Sequence, residues 1–113
     1  MLKPKNLSDI HNLLTDWGKW AQTAPEGLYK PPLMLPNTRP LSYSMTDEDG
    51  LFLDALISSL SRLYPYHMDL IVKHYVNHKS LRYIARLQDL PYADISREIT
   101  RAKSLVLKIL SEL

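Results

Sequence analysis

The sequence predicts an all-α fold, a small helical domain with a C-terminal helix-turn-helix and a long proline-rich connection. Three observations lead to this prediction. Apolar residues recur every three or four positions in several segments, which is the period of amphipathic helices. Five of the eight prolines fall within residues 25–44, where they exclude a helix or a central strand. A short break at residues 89–91 separates the last two amphipathic segments.

Length and composition bound the class of protein. The 113 residues, 45% hydrophobic and 23% charged, predict one domain (1–113) with a modest core and a cytoplasmic location. No apolar run approaches the roughly 20 residues that cross a bilayer, so no membrane partner is expected. Cysteine is absent, which excludes disulfides and cysteine-ligated zinc. Without a Gly-rich phosphate loop or a nucleophile elbow, the sequence predicts no enzyme, no catalytic residue and no cofactor.

The N-terminal part is predicted to be a helix followed by an irregular connection. Residues 7–24 show helical apolar spacing, with Asn6 or Ser8 as the N-cap. Trp17 and Trp20 lie on the apolar stripe, which favours a core role over a platform for a partner. Residues 25–45 form the proline-rich connection, whose apolar side chains leave two interpretations open: a functional loop, or a loop held by its own side chains.

Two further helices are predicted between residues 46 and 76. Thr46 and Asp49 form a capping-box-like pattern, and the acidic run that follows Thr46 suits the positive end of a helix dipole. Capping is favoured over a magnesium site because no second cluster of ligands accompanies these acids. Pro65 begins the next helix, which runs to about Val76. The predicted inward residues are Leu53, Leu56, Ile57, Leu60 and Leu63 in the first of these helices and Met68, Ile71, Val72 and Tyr75 in the second.

Residues 80–110 carry the helix-turn-helix pattern. A short helix from about Ser80 to Gln88 is followed by a break and by a longer helix from Tyr92 to the C-terminus. Pro91 stands at the first turn of that helix, where its missing N–H costs nothing. The predicted inward residues are Leu81, Ile84, Ala85 and Leu87, then Ile95, Ile99, Ala102, Val106 and Ile109. The outward positions of the longer helix are then Ala93, Arg97, Thr100 and Ser104, with Arg101 at the edge.

Positive charge is concentrated in the C-terminal half. Residues 62–113 hold nine Lys/Arg against five Asp/Glu, whereas residues 1–61 hold five against seven. Such an excess supplies the attraction to phosphates that a DNA-binding protein needs, although a solvated basic face without a partner is the other interpretation. His74 and His78 stand at helical spacing with His67 and Asp69 nearby, but they have no defined third ligand, so no metal site is predicted.

Several stretches resemble the phage antitermination protein Q family in its short form. They are WGKWA at residues 17–21, DEDGLFLDALISSL at 47–60, LIVKHYVNHKSLRYIARLQ at 70–88, and the continued spacing of Ile95, Ile99 and Ala102. The SLRYIA stretch at 80–85 is also similar to the S/T-L-x-x-I-A pattern of sigma factor region 4. Asp89 stands where the turn usually has glycine, and no cysteine zinc module of the kind seen in longer relatives is present.

The resemblance implies a regulator of late phage or prophage genes. Such a transcription antiterminator binds double-stranded DNA near a late promoter and modifies bacterial RNA polymerase that carries sigma factor, so that it reads through pauses and terminators. A second copy of the chain on DNA is a further candidate partner. Two alternatives stay open: a protein-interaction module that acts on polymerase or sigma without binding DNA, and another phage helix-turn-helix DNA binder such as a repressor or a small terminase subunit.

On this resemblance, we expect the last helix to approach the major groove of DNA. Arg97 and Arg101 are the best candidates for reading guanine, because a guanidinium matches its O6 and N7 acceptors. Backbone N–H groups at the start of the Ser80 helix would help to hold phosphates. The predicted base-reading residues are Tyr92, Ser96, Arg97, Thr100 and Arg101, and the predicted phosphate contacts are Lys79, Ser80, Arg82, Arg86 and Lys103.

Overall fold

A computed structural model describes residues 4–23 and 45–113. These residues form helices and no strand, which confirms the predicted all-α class. The predicted proline-rich connection lies outside the described residues, apart from Met45. None of the described helices is both long and apolar enough to cross a membrane. The elements are α1 (Leu7–Thr23), α2 (Asp47–Leu63), α3 (Pro65–Ile71) with a π-helical continuation (Val72–Val76), α4 (Leu81–Gln88) and α5 (Tyr92–Ser111).

Side-chain caps begin three of these helices. Asn6 Oδ1 accepts a hydrogen bond from the Asp9 amide at 2.9 Å, so Asn6, one of the two predicted candidates, caps α1. Thr46 Oγ1 accepts from the Asp49 amide at 3.1 Å, as the capping pattern predicts. Ser80 Oγ accepts from the Tyr83 amide at 3.1 Å at the start of α4. These caps satisfy backbone donors that a helix start leaves unpaired.

Helix α1 packs its tryptophans into the core. Trp17 and Trp20 are only 2% and 3% exposed, which confirms the core role predicted for them. The Trp20 indole N–H also donates to Asp47 Oδ1 at 2.8 Å, so an acid of the first turn of α2 is joined to α1. Helix α1 contacts the π-helical segment, α5 and α2. Among the described residues, the largest fully buried side chains are Ile10, Leu14, Leu53, Met68, Leu70, Ile71, Ile84, Ile95 and Val106.

Two residues predicted to face inward are exposed. Leu63 is 73% exposed because it is the last residue of α2, where the chain turns into α3. Leu87 is 59% exposed because only a narrow arc of α4 around Ile84 and Ala85 is buried. At 3.6 residues per turn, Leu87 lies roughly 110° from the centre of that arc. Leu70, not predicted inward, is fully buried, since α3 packs against both α2 and α5.

The predicted helix from Pro65 to Val76 has the expected extent, but its last five residues are π-helical. The Asn77 amide donates to the Val72 carbonyl at 3.0 Å, a bond that spans five residues rather than four. This segment contacts α1 at Gly18, where a methyl group would overlap the backbone carbonyl of Tyr75. Glycine therefore lets the backbones of α1 and the π-helical segment touch directly.

Helices α4 and α5 pack against each other and are joined by a three-residue turn. Asp89 adopts the left-handed conformation, with φ 56° and ψ 45°. The Leu90 amide donates to the Ala85 carbonyl at 2.9 Å, and the Asp89 amide donates to the Arg86 carbonyl at 3.2 Å. This pair of bonds is a Schellman motif, the usual way for a helix to end on glycine. Pro91, in the extended conformation, then leads into α5.

Replacing Asp89 by glycine will raise the free energy of unfolding by about 0.5 to 1 kcal/mol. Glycine adopts the left-handed conformation without the steric cost that a Cβ imposes, and the turn geometry is unchanged. Urea unfolding followed by far-UV circular dichroism measures the difference. Asp89→Ala is the matched control and will lower the free energy of unfolding, because alanine keeps the Cβ and loses the polar side chain. A glycine variant no more stable than the alanine variant would contradict the expectation.

Candidate nucleic-acid interface

The predicted base-reading residues lie along the N-terminal half of α5. Four of them are exposed and Ser96 is half-buried. Residues 92–101 span about 14 Å of helix axis, at 1.5 Å per residue. A single rigid element thus carries a tyrosine, two hydroxyl groups and two arginines; Arg97, Thr100 and Arg101 fall within about 100° of one another around the helix axis, whereas Tyr92 lies on the opposite side from Arg101. The exposed members are Tyr92, Arg97, Thr100 and Arg101.

Both arginines are paired with acids of the preceding turn. Arg97 Nη1 lies 3.2 Å from Asp94 Oδ1, and Arg101 Nη1 lies 3.2 Å from Glu98 Oε2. The arginine side chains remain 56% and 63% exposed, so these are surface ion pairs. Exposed pairs of this kind contribute about 0 to 1 kcal/mol. The guanidinium groups can therefore exchange these partners for an external acceptor at small cost.

Two cation–π contacts connect basic and aromatic side chains around α4. The Arg82 guanidinium carbon lies 5.0 Å from the centre of the Tyr92 ring, which links α4 to the start of α5. The Lys79 ammonium lies 5.1 Å from the centre of the Tyr83 ring. Each contact holds a long basic side chain over an aromatic face and leaves its N–H donors available. Arg82, a predicted phosphate contact, thus lies against Tyr92, a predicted base-reading residue.

The predicted phosphate contacts do not share one environment. Lys79, Ser80, Arg82 and Arg86 are exposed on α4 or just before it. The Ser80 hydroxyl accepts the capping bond of α4, and its hydrogen remains able to donate. Lys103 differs, because it is half-buried on α5 and burial lowers the pKa of its ammonium group.

Around Lys103 lies a cluster that joins α1 to the π-helical segment. His11 Nδ1 and the Tyr75 hydroxyl are 2.8 Å apart, and the Tyr75 ring makes edge contacts with the imidazoles of His11 and His74. Burial, followed by the charges of Lys103 and His74, lowers the pKa of His11. Burial raises the pKa of Tyr75 to about 12. The packed state therefore favours neutral forms of both groups.

Acid will destabilise the fold through His11. Its pKa in the folded chain lies below the unfolded value of 6.5, so the unfolded chain binds more protons as the pH falls through this range. The stabilising contribution is present above pH 6.5 and is lost as the pH falls through the folded pKa. Urea unfolding at pH 7 and pH 5 measures the loss, and His11→Gln should lessen it. An equal loss in both proteins would assign the acid sensitivity to other groups.

A groove lies between α5 and the junction of α2 with α3. Its volume is about 440 Å³. Beside it, His67 Nε2 donates to Glu98 Oε1 at 2.8 Å. This hydrogen bond, together with the nearby Arg101, holds the pKa of the Glu98 carboxyl below its usual value. The lining residues are Tyr64, His67, Thr100, Arg101, Ser104, Leu105 and Lys108.

The histidines considered for zinc have separate contacts. His74 Nδ1 lies 2.8 Å from the Lys79 carbonyl oxygen, and His78 Nε2 lies 3.2 Å from Gln22 Oε1. Within residues 4–23 and 45–113, no group of three or more His, Asp or Glu side chains is arranged to hold a metal ion. His74 thus contacts the backbone five residues further along the chain, whereas His78 joins the chain after the π-helical segment to α1.

Sequence reasoning missed several residues of this surface. Asp94 and Glu98 each precede an arginine by three positions, a spacing that indicates helical ion pairs. Lys108 continues the outward positions of α5 one turn after Ser104, so the helical period could have indicated it. His67 offered no such signal, because it is 31 residues from Glu98 in sequence.

These features define a small all-α protein whose candidate nucleic-acid interface lies on its C-terminal helices. The model of the phage antitermination protein Q family matches residues 7–113. A curated relative, the "Probable antitermination protein Q" of Acyrthosiphon pisum secondary endosymbiont phage 1, is 31% identical over 105 residues, which cover 87% of this chain and 68% of the relative. No solved structure gives a significant match. The chain belongs to the phage antitermination protein Q family, as its sequence motifs predict.

Proposed function

We propose that this phage protein is a late-gene transcription antiterminator that binds double-stranded DNA near a late promoter. It acts in the bacterial cytoplasm on RNA polymerase that carries sigma factor, and the modified polymerase reads through pauses and terminators. Family membership supports the antiterminator role. The observation that carries DNA binding is the exposure of Arg97 and Arg101 one turn apart on one face of α5.

In this proposal α4, the turn and α5 act as a helix-turn-helix. The major groove of B-DNA, about 12 Å wide, admits an α-helix. Arg97 and Arg101 donate to guanine acceptors, while Tyr92, Ser96 and Thr100 contact neighbouring base edges or sugars. Helix α4 crosses the backbone, where its basic side chains contact phosphates. These contacts come from Lys79, Ser80, Arg82 and Arg86, and Lys103 contributes at the side of α5.

Binding by the isolated chain is expected to be weak. Asp94 and Glu98 offset part of the positive charge of α5, and the charge excess of residues 62–113 is modest. Contacts with polymerase and sigma, or with a second copy of the chain on DNA, supply the remaining free energy. Occupancy would then depend on the presence of those partners at the late promoter.

One observation favours a second candidate, a protein-interaction module that acts on polymerase or sigma without touching DNA. Leu87 and Leu90, on either side of Asp89, are 59% and 40% exposed, so the turn presents apolar surface. Binding to polymerase that is insensitive to salt and to DNA sequence would favour this candidate.

Transcription through a strong terminator, with purified host polymerase and sigma, tests the proposed function. Templates with and without the phage late-promoter region are compared. Read-through that needs both the protein and that region supports antitermination directed by DNA. Read-through that ignores the region supports the protein-interaction module. Sequence-specific binding without read-through would contradict antitermination and indicate another phage DNA binder, such as a repressor or a small terminase subunit.

A further inference from the structure

The side of α2 that points away from the core carries exposed apolar side chains. At about 100° per residue, Ala55 stands opposite the buried positions of this helix, which include Leu53 and Ile57. Leu51 and Phe52, one turn before Ala55, are 42% and 43% exposed. This side of α2 therefore offers apolar surface to a partner. The outward face of α2, defined as the exposed residues within about 60° of Ala55, comprises Glu48, Leu51, Phe52, Ala55, Ser58, Ser59 and Arg62.

The residues of the outward face are arranged symmetrically about Ala55. Glu48 stands seven residues before Ala55, and Arg62 stands seven residues after it. The two large apolar residues lie one turn before Ala55, whereas two small residues, Ser58 and Ser59, lie one turn after it. When a second copy of α2 is laid antiparallel on the first, each acid meets a base and each large side chain meets a serine. The outward face is thus complementary to itself.

The charges of α2 favour the same partner. The helix carries four acids and one base, so a nucleic acid is repelled from it. Within residues 4–23 and 45–113, the ion pairs include neither Glu48 nor Arg62. A second copy of the chain supplies an opposite charge to both residues at once. The outward face also shares no residue with the candidate nucleic-acid interface, so both surfaces can be occupied together.

We propose that the outward face of α2 is a self-association surface, on which a second copy of the chain packs its own α2 in the antiparallel direction. The two-fold axis passes beside Ala55, whose small side chain lets the helices approach to about 8 Å. Two equivalent pairs of Glu48 with Arg62 of the second copy close the ends of the contact. This inference rests on the proposed function only for its role on DNA, where it supplies the contact between two copies.

A contact between two single helices is small, and we expect it to be weak. Helix α2 has 17 residues and is about 26 Å long. Interfaces that bury less than roughly 1,200 Å² in total belong to the transient class. The protein should therefore be mainly monomeric at micromolar concentration and dimeric towards 1 mM. Two copies bound at neighbouring DNA sites have a high effective concentration, at which a weak contact suffices.

The first measurement is sedimentation equilibrium between about 10 μM and 1 mM protein, which requires no DNA. Glu48→Arg and Arg62→Glu each place like charges at both ends of the contact, so each should weaken self-association by roughly 5- to 30-fold. An equal mixture of the two variants brings opposite charges together at both ends and should associate as wild type does. Asp54→Arg is the matched control, because it reverses an exposed acid of α2 outside the outward face. It should change self-association little.

Each result of this measurement bears on the proposal. A wild-type chain that stays monomeric up to 1 mM would overturn it, whether or not the protein binds DNA. A mixture that associates no better than either variant alone would also overturn it. A monomeric wild type whose read-through is lost in Ala55→Arg would assign the outward face to polymerase instead. Association restored in the mixture, in a protein that does not bind DNA, would support the self-association surface and contradict the proposed DNA-binding function.

The absence of cysteine from the chain allows a direct test of the two-fold axis. Ala55→Cys places one thiol of each copy beside the axis, where the two can form a disulfide. Asn12→Cys, at an exposed position of α1, is the control. With oxidised glutathione as the oxidant, the linked dimer should form at least roughly 10-fold faster from Ala55→Cys than from Asn12→Cys. Equal rates would overturn the antiparallel arrangement.

Discussion

Replacing Gly18 by alanine will lower the free energy of unfolding by about 3 kcal/mol. The added methyl group would overlap the backbone carbonyl of Tyr75, in the π-helical segment against which α1 packs. A flexible side chain could move aside, but a backbone carbonyl within a hydrogen-bonded segment cannot do so without shifting the segment. The cost is therefore expected at the upper end of the usual range for overpacking, about 1 to 3 kcal/mol.

Urea unfolding followed by tryptophan fluorescence measures this loss, because Trp17 and Trp20 lie in α1 and are buried. Intrinsic helix propensity predicts the opposite sign, since alanine is favoured over glycine within a helix by about 1 kcal/mol. A more stable Gly18→Ala protein would show that α1 and the π-helical segment do not touch at this point. Asn12→Ala, at an exposed position of the same helix, is the control and should change stability little.

Replacing Arg97 by alanine will weaken binding to the specific DNA site by about 1 to 3 kcal/mol, or roughly 5- to 150-fold in Kd. The Arg97 side chain is exposed, and its partner Asp94 is a surface acid, so the guanidinium can turn to guanine at little cost. A bidentate contact with guanine distinguishes that base from the others, and alanine can make no such contact. Preference for the specific site should therefore fall together with affinity.

The measurement compares a duplex selected by the wild-type protein from a random library with a shuffled duplex of the same composition. Arg97→Lys is the matched variant, because it keeps the positive charge and loses the planar fork of donors. It should retain the affinity for shuffled DNA and lose the preference for the selected site. Equal losses on both duplexes for Arg97→Ala would reassign Arg97 to a phosphate contact. Unchanged binding would remove it from the interface.

The sequence predicted those features of the fold that depend on residues close together in the chain. The cap at Thr46 and the buried positions of Trp17 and Trp20 follow from short-range spacing. Leu70 shows where this reasoning fails, because a helix that packs against two neighbouring helices buries residues outside the single apolar stripe that the spacing detects. The π-helical segment was equally hidden, since one extra residue in a helical turn leaves the apolar spacing nearly unchanged.

The candidate interface was likewise predicted only in part. The helical period predicted that Arg97 and Arg101 face outward, and both side chains are exposed. The bond between His67 and Glu98 joins α3 to α5, so no spacing within either helix could predict it. Lys103 was placed among the phosphate contacts by its charge, yet packing leaves it half-buried. Tertiary packing, rather than residue type, decides which charged groups of α5 are fully exposed.

The π-helical segment also bears on how relatives can differ in length. A π-helical turn contains one residue more than an α-helical turn, so one residue can be gained or lost there while the helix ends on the same face. Deleting one residue between Val72 and Val76 would therefore convert the segment into ordinary α-helix and leave the direction of the following chain nearly unchanged. Relatives that lack this residue should then present α5 in much the same direction from α1. The segment is thus a place where relatives can differ in length by one residue without re-aiming the C-terminal helices.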